Sequence, residues 1–281
     1  MSHLTTENEA CAAHLDARSV LIVITAPTSG LDQTSLDADD LRRVGSGLYQ
    51  AGASNDAVKA TLSQVSHLTL KRARTVPPVR GNGTEDASEH VYSLVYYRFE
   101  SPTPQQKKQT QRLLMRAPCV RLRPGVLLFP HLRKKDVAKY FTTEGKTDLL
   151  RAKRLDEELT ALGARVTRWS RLKLIGLRSS ETVENAIDRM IEHDLRTIEL
   201  RIRQVKDALS RTDLSNKTLR RRYGEIWTRL KLLKRTYAVI QDVWHHDTER
   251  PLRRTYNLLL RLRRAIQNRP NPTGEGATET L

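Results

Sequence analysis

Hydrophobic residues between positions 37 and 65 repeat at helical spacing in two short sets. The first set is Leu41, Val44 and Leu48, and the second is Val58, Leu62 and Val65. Acidic residues precede the first set and Gly52 follows it, a pattern typical of a capped helix. Two helices joined by a short turn that contains Gly52 form a helix-turn-helix. We therefore predict a helix-turn-helix domain over residues 19–80, with the basic segment 71–74 as its wing.

From residue 90 the pattern changes to short β-branched and aromatic runs separated by helical ones. Strands are predicted at residues 91–99, 120–123, 126–129 and 165–175, and helices at 104–117 and 148–163. The order βαββαβ over residues 90–176 is that of a ferredoxin-like domain. Two helices would cover one face of its sheet, and we expect the other face to be open to a partner.

The last hundred residues follow a helical repeat. Its apolar positions are Ile187, Ile191, Leu195, Ile198, Ile202, Val205 and Leu209, then Leu219, Tyr223, Ile226, Leu230, Leu233, Tyr237, Ile240 and Trp244, and finally Leu252, Tyr256, Leu259, Leu262 and Ile266. The short polar connection at 212–216 predicts an antiparallel helical hairpin, followed by one basic amphipathic helix, over residues 180–268. We expect a flexible N-terminus at residues 1–18 and a disordered tail at residues 269–281. The predicted fold class is therefore α+β.

The charge of the chain is unevenly distributed. The net charge of the 281 residues is +17, yet residues 1–66 contain four basic and eight acidic side chains. Residues 67–281 are therefore strongly basic and should attract polyanions, nucleic acid before anionic membranes. The simpler alternative is a basic surface with no specific partner.

Other features narrow the class of protein. The longest apolar run, at residues 20–24, is far shorter than a membrane-spanning helix. The N-terminus lacks the pattern of a secretory signal, and two cysteines are too few for a disulfide framework. We expect a cytoplasmic, nucleoid-associated protein that contacts no membrane.

The candidate nucleic-acid-binding residues follow from the predicted elements. They are Asn55, Lys59, Lys71, Arg72, Arg74, Arg121, Arg123, Arg133, Lys134, Lys135, Arg253, Arg254, Arg261, Arg263 and Arg264. Asn55 and Lys59 begin the second predicted helix, the position from which such helices reach base edges. The wing residues would contact phosphates. However, the predicted reading domain is the acidic part of the chain, which equally favours recognition of RNA or DNA by shape.

Catalytic patterns are scarce. No glycine-rich phosphate loop is present, and Cys119 is expected in the core. The adjacent pair His245 and His246 would point about 100° apart on a helix, so we interpret it as a polar helix end rather than a metal site. We predict no catalytic residue, no cofactor and no enzymatic activity.

Three short stretches resemble known regulators. Residues 53–63 are similar to the recognition helix of PaaX-type repressors of phenylacetate degradation. Residues 121–130 resemble a Pro-Gly-Val hairpin found in both the PaaX family and the N-terminal region of the chromate-resistance regulator ChrB. Residues 155–164 resemble the helix that precedes the last strand of both. This resemblance implies a homodimeric transcriptional regulator that binds double-stranded DNA.

The leading hypothesis is therefore a DNA-binding transcriptional regulator. The alternative is a basic factor that binds RNA or DNA by shape without reading sequence. A third hypothesis comes from the small endoribonucleases of CRISPR adaptation, which the predicted plait also resembles and whose first strand ends in a metal-binding Asp. Here that strand ends in Arg98, Phe99 and Glu100, so a metal-dependent nuclease would have to use Glu100.

Overall fold

The computed structural model describes residues 15–16, 19–25, 41–52, 62, 65–79, 90–141, 149–210 and 214–269. Within these residues the strands are β1 Ser19–Ile24, β2 Leu41–Gly45, β3 Leu48–Gly52, β4 His67–Arg72, β5 Tyr92–Arg98, β6 Val120–Arg123, β7 Val126–Pro130 and β8 Arg165–Ile175. The helices are α1 Pro104–Met115, α2 Lys134–Phe141, α3 Ala152–Ala161, α4 Leu177–Ser210, α5 Asn216–Trp244 and α6 Glu249–Gln267. The α+β class is confirmed. No helix in these ranges is both long and apolar enough to cross a membrane.

All eight strands belong to one antiparallel sheet in the order β2-β3-β1-β4-β8-β5-β7-β6. The sequence analysis predicts separate domains over residues 19–80 and 90–176. In the structure, however, β4 pairs directly with β8 from Thr69↔Ile175 to Arg72↔Leu172. Both segments therefore contribute to the same sheet.

The predicted first helix of the helix-turn-helix is wrong. Residues 41–52 form the hairpin of β2 and β3, which turns at Ser46 and Gly47. Gly47 has a φ of 67°, which a glycine adopts without the steric penalty of other residues. Within a helix Gly45 and Gly47 would each cost about 1 kcal/mol relative to alanine, which disfavours the predicted element. Most of the second predicted helix, including Asn55 and Lys59, lies outside the described residues.

One face of the sheet is almost completely buried. Its side chains, all at most 2% exposed, include Leu21, Val23, Leu48, Leu68, Leu70, Tyr92, Leu94, Val126, Leu128, Leu172 and Leu174. Strand pairing places them on a common face, since Leu21 lies opposite Leu70 and Leu70 opposite Leu174. We call this the inner face.

The expectation of an open sheet face is wrong because the inner face is buried within the chain itself. The β2–β3 turn lies against strands from the far end of the sheet: a Cβ atom on Gly45 would overlap the Tyr96 ring. Arg123 Nη1 also donates a hydrogen bond to the Ile24 carbonyl at 2.8 Å. Side chains of β5 and β6 therefore reach the β2–β3 turn and β1, which lie several strands away in the sheet order.

Helices α1 and α3 pack on the outer face through a separate cluster. Val95, Leu127 and Phe129 from the strands meet Leu114, Leu155 and Leu159 from the helices, and Cys119 is buried among them. A capping box fixes the start of α1. Thr103 Oγ1 accepts a hydrogen bond from the backbone N–H of Gln106 at 3.2 Å, and Gln106 Oε1 accepts one from the backbone N–H of Thr103 at 2.8 Å.

The chain forms two compact units. The first comprises residues 1–190 and 236–246 and contains the sheet, and the second comprises residues 191–235 and 247–281 and contains α6. Helices α4 and α5 contribute residues to both.

A nearly buried ion pair ties α3 to β8. Asp156 Oδ2 accepts from Arg168 Nε at 3.0 Å, and the two side chains are 12% and 17% exposed. Arg168 Nη1 also donates to Ser170 Oγ at 2.8 Å. Removing the carboxylate would leave a buried guanidinium without its counter-charge.

We predict that Asp156→Ala lowers the free energy of unfolding by about 2–3 kcal/mol, because a buried charge loses its partner. Glu157→Ala on the same helix is the matched control, since the partners of Glu157 among the described residues are the exposed Lys153 and Arg154. That control should lose less than about 0.5 kcal/mol. Urea unfolding of both variants measures the difference, and equal losses would contradict the structural role of the pair.

Candidate nucleic-acid interface

A groove lined by five cations runs beside the β4–β8 pair in the first unit. It encloses about 830 Å³ and is lined by Lys71, Arg72, Ala73, Arg74, Thr75, Pro77, Val91, Arg171 and Lys173. No acidic residue is among these lining residues. We call it the β4–β8 groove.

Two of its lysines lie directly opposite each other on neighbouring strands. Lys71 of β4 pairs with Lys173 of β8, and both side chains are exposed. Directly paired residues share a face with their Cβ atoms about 4.5–5.5 Å apart, and like charges in such a pair are destabilising. The sheet thus places two positive charges side by side, although their repulsion lowers its stability.

A β-bulge shapes the middle of the groove. The register of β5 against β8 shifts between Tyr92↔Leu172 and Leu94↔Trp169, which inserts an extra residue into β8. Arg171 within this bulge has a φ of 56°, a left-handed conformation that costs about 1–2 kcal/mol for a residue with a side chain. Its carbonyl accepts a hydrogen bond from the Ala73 amide at 2.6 Å. The bulge therefore continues the β4–β8 contact past the last paired residue and places Arg171 in the groove.

A histidine close to the bulge experiences the same positive charge. His131 Nδ1 lies 2.9 Å from Ser93 Oγ. Burial lowers the pKa of His131, and the charges of Arg171 and Arg168 lower that pKa further. The imidazole therefore resists protonation and adds no charge to this region at neutral pH.

The predicted wing residues and two further cations meet in the β4–β8 groove. Lys71 and Arg72 end β4, and Arg74 follows in the next segment. Arg171 and Lys173 were not predicted to bind nucleic acid. The signal for them is present in the sequence, because both alternate with Leu172 and Leu174 along the last strand.

The other predicted residues of the first unit are distributed elsewhere. Arg121 is exposed on β6, whereas Arg123 is half-buried and has its structural bond to Ile24. At the start of α2, Arg133 forms an ion pair with Asp136 at 3.0 Å. Lys134 and Lys135, which follow Arg133, are exposed.

Five predicted arginines lie on α6 in the second unit, and all are exposed. They are Arg253, Arg254, Arg261, Arg263 and Arg264. Arg254 Nε lies 3.9 Å from Glu199 Oε1, and the Thr255 hydroxyl donates to the same oxygen at 3.2 Å. The stripe predicted from the sequence is thus a solvent-facing basic surface.

The residues considered for metal chemistry have other partners. Glu100 forms an exposed ion pair with Arg165 at 2.8 Å. His246 Nε2 lies 2.8 Å from Asp188 Oδ1, and the His245 ring lies 5.5 Å from that of His90. Across the described residues, no group of three or more His, Cys, Asp or Glu side chains is arranged to hold a metal ion.

Comparison with known proteins adds no assignment. No family model, curated protein or solved structure matches this chain. The resemblance to PaaX-type repressors and to ChrB therefore rests on three short stretches of sequence. A functional proposal has to come from the geometry of the chain.

The bulge yields a stability prediction. We expect Arg171→Gly to be about 1 kcal/mol more stable than Arg171→Ala, because only glycine adopts the left-handed backbone without steric cost. At the neighbouring Lys173, which has extended backbone, the order should reverse and glycine should be the less stable of the two. Urea unfolding of the four variants checks this, and the same order at both positions would contradict the bulge geometry.

Proposed function

We propose that this protein binds nucleic acid, with the β4–β8 groove contacting the phosphate backbone. The observation that carries the proposal is the convergence of five cations in one groove, among whose described lining residues there is no acidic side chain. Lys71 opposite Lys173 is its clearest part, since that pair destabilises the sheet unless an anion lies between or beside the two ammonium groups.

The chemistry of the groove suits phosphates. Guanidinium groups such as those of Arg72, Arg74 and Arg171 match the oxygens of a phosphate in a bidentate manner, and ammonium groups act as point charges. A polyanion that binds here releases counterions from its backbone, so affinity should fall steeply with salt. Since none of the five cations lies on a described helix, they are better suited to backbone contacts than to reading bases in a major groove.

The described residues therefore favour a protein that recognises the phosphate backbone and the shape of a nucleic acid. This was the alternative raised by the acidic character of residues 1–66. Sequence-specific regulation of transcription remains a narrower proposal, because it depends on Asn55 and Lys59, outside the described residues. Residues 41–52 form strands in place of the first helix of the predicted helix-turn-helix.

The architecture offers some support for the narrower proposal. We propose that β5 to β8 with α1 and α3 form a ferredoxin-like plait, a view supported by the strand order β8-β5-β7-β6. We also propose that α4 and α5 form the helical hairpin expected from their heptad repeats. Both features would agree with a PaaX-like or ChrB-like regulator. A homodimer would then need an interface other than the buried inner face, such as the hairpin.

The groove can be tested by removing three charges. We expect the triple variant Lys71→Gln, Arg171→Gln, Lys173→Gln to bind 20-base-pair DNA and RNA duplexes at least about 10-fold more weakly. The slope of log affinity against log salt should become shallower by about 0.9 for each phosphate that the variant no longer neutralises. Fluorescence anisotropy across a salt series measures both quantities.

The matched control removes three exposed charges from α1 of the same unit: Lys107→Gln, Lys108→Gln, Arg112→Gln. Net charge then changes equally in both variants, so only location differs. The control should retain most of the affinity and of the salt slope. An equal loss in both variants would refute the groove as the binding site.

The two forms of the proposal differ in specificity. A sequence-specific regulator should prefer its own upstream sequences over random duplexes by about 10³-fold or more at physiological salt. A backbone reader should bind all duplexes of one length with similar affinity. Competition with pooled genomic upstream fragments distinguishes the two.

A further inference from the structure

Three aromatic side chains form a row on the surface of the second unit. Tyr223 and Trp227 lie one turn apart on α5. Their ring centres are 6.4 Å apart, and the rings are nearly parallel with an interplanar angle of 14°. The ring of Tyr256 on α6 lies 5.8 Å from that of Trp227. Tyr256 is 42% exposed, and the other two rings are half-buried. We call these residues the aromatic row.

The aromatic row lies outside the apolar core of the helices. That core is formed by Leu219, Ile226, Leu230 and Leu233 on α5 and by Leu259, Leu262 and Ile266 on α6, all of them buried. The helical repeats predicted Tyr223 in the apolar stripe of α5 and Tyr256 in that of α6, but Tyr256 is 42% exposed. Aromatic surface at these positions is therefore left in contact with water.

Cations surround the row on both helices. Lys231 Nζ lies 5.3 Å from the centre of the Trp227 ring. Arg220 and Arg263 line, together with Tyr223, Ile266 and Gln267, an open cleft of about 170 Å³ beside the row. No acidic side chain lines this cleft. The surface thus combines partly exposed aromatic rings with nearby positive charge.

We infer that the aromatic row is a second nucleic-acid-binding site, one that takes unpaired bases of a single strand. Bases stack on exposed aromatic rings regardless of sequence, while neighbouring cations hold the phosphates between them. Tyr256 offers the exposed stacking surface, Trp227 and Tyr223 support it, and Arg220 and Arg263 receive the backbone. Bases paired within a duplex are already stacked on each other, so this site selects single strands. The inference goes beyond the β4–β8 groove, which contacts phosphates only.

The experiment separates bases from phosphates. One probe is an oligo-dT of 12 nucleotides, and the other is an abasic deoxyribose-phosphate strand of the same length and charge. We expect the full-length protein to bind oligo-dT roughly 5- to 100-fold more tightly than the abasic strand. Tyr256→Ala should abolish most of this ratio, Tyr256→Phe should keep it, and Leu200→Ala, at an exposed apolar position of the same unit, should leave it unchanged.

Tryptophan fluorescence supplies a readout that does not depend on a destabilising variant. Trp169 and Trp244 are buried, so Trp227 is the partly exposed tryptophan of the chain. Oligo-dT should quench the fluorescence of the wild type, whereas the abasic strand should leave it unchanged. Equal affinity for the two probes, or unchanged fluorescence on saturation with oligo-dT, would overturn the inference.

The same assay distinguishes this site from the groove. The triple variant of the β4–β8 groove should keep the ratio between oligo-dT and the abasic strand, whatever its effect on duplex binding. Tyr256→Ala should keep the affinity for duplex. If the groove variant alone removes the ratio, the bases bind there and the aromatic row is refuted.

Discussion

The pairing of β4 with β8 is the constraint on which the rest of the sheet depends. Four strands from residues 19–72 and four from residues 92–175 are continuous only through this contact. On the inner face it sets Leu70 against Leu174, both almost completely buried. On the outer face it sets Lys71 against Lys173. Because side chains alternate along a strand, the pairing that buries the leucines also forces the lysines together.

This arrangement explains how a small core coexists with a dense positive charge. The buried leucines and Tyr92 fix the register, since a slip of one residue would expose them and bury lysines. The Asp156–Arg168 pair holds β8 next to the bulge, and the bulge places Arg171 beside the lysines. The packing of these residues thus offsets the strained backbone of Arg171 and the repulsion between Lys71 and Lys173.

Much of the second half of the sheet could be predicted from sequence, because β5 to β8 combine β-branched or aromatic runs with clear turn residues. The first half could not. Leu41, Val44 and Leu48 fit a helical repeat and a hairpin equally well, and only the glycines at 45 and 47 favour the turn. The left-handed backbone of Arg171 and the bond from Arg123 to Ile24 depend on tertiary contacts. Tyr256 lies at an apolar position of its repeat, yet it is 42% exposed although its ring lies beside that of Trp227.

We propose that the sheet keeps Lys71 and Lys173 together for an anion, at the expense of stability. Lys173→Glu tests it most directly, since this change converts the repulsive pair into an attractive one. We expect a gain of about 0.5–1 kcal/mol in the free energy of unfolding. We also expect at least about 10-fold weaker binding to duplex nucleic acid. A variant that loses stability, or that binds as tightly as the wild type, would contradict the proposal.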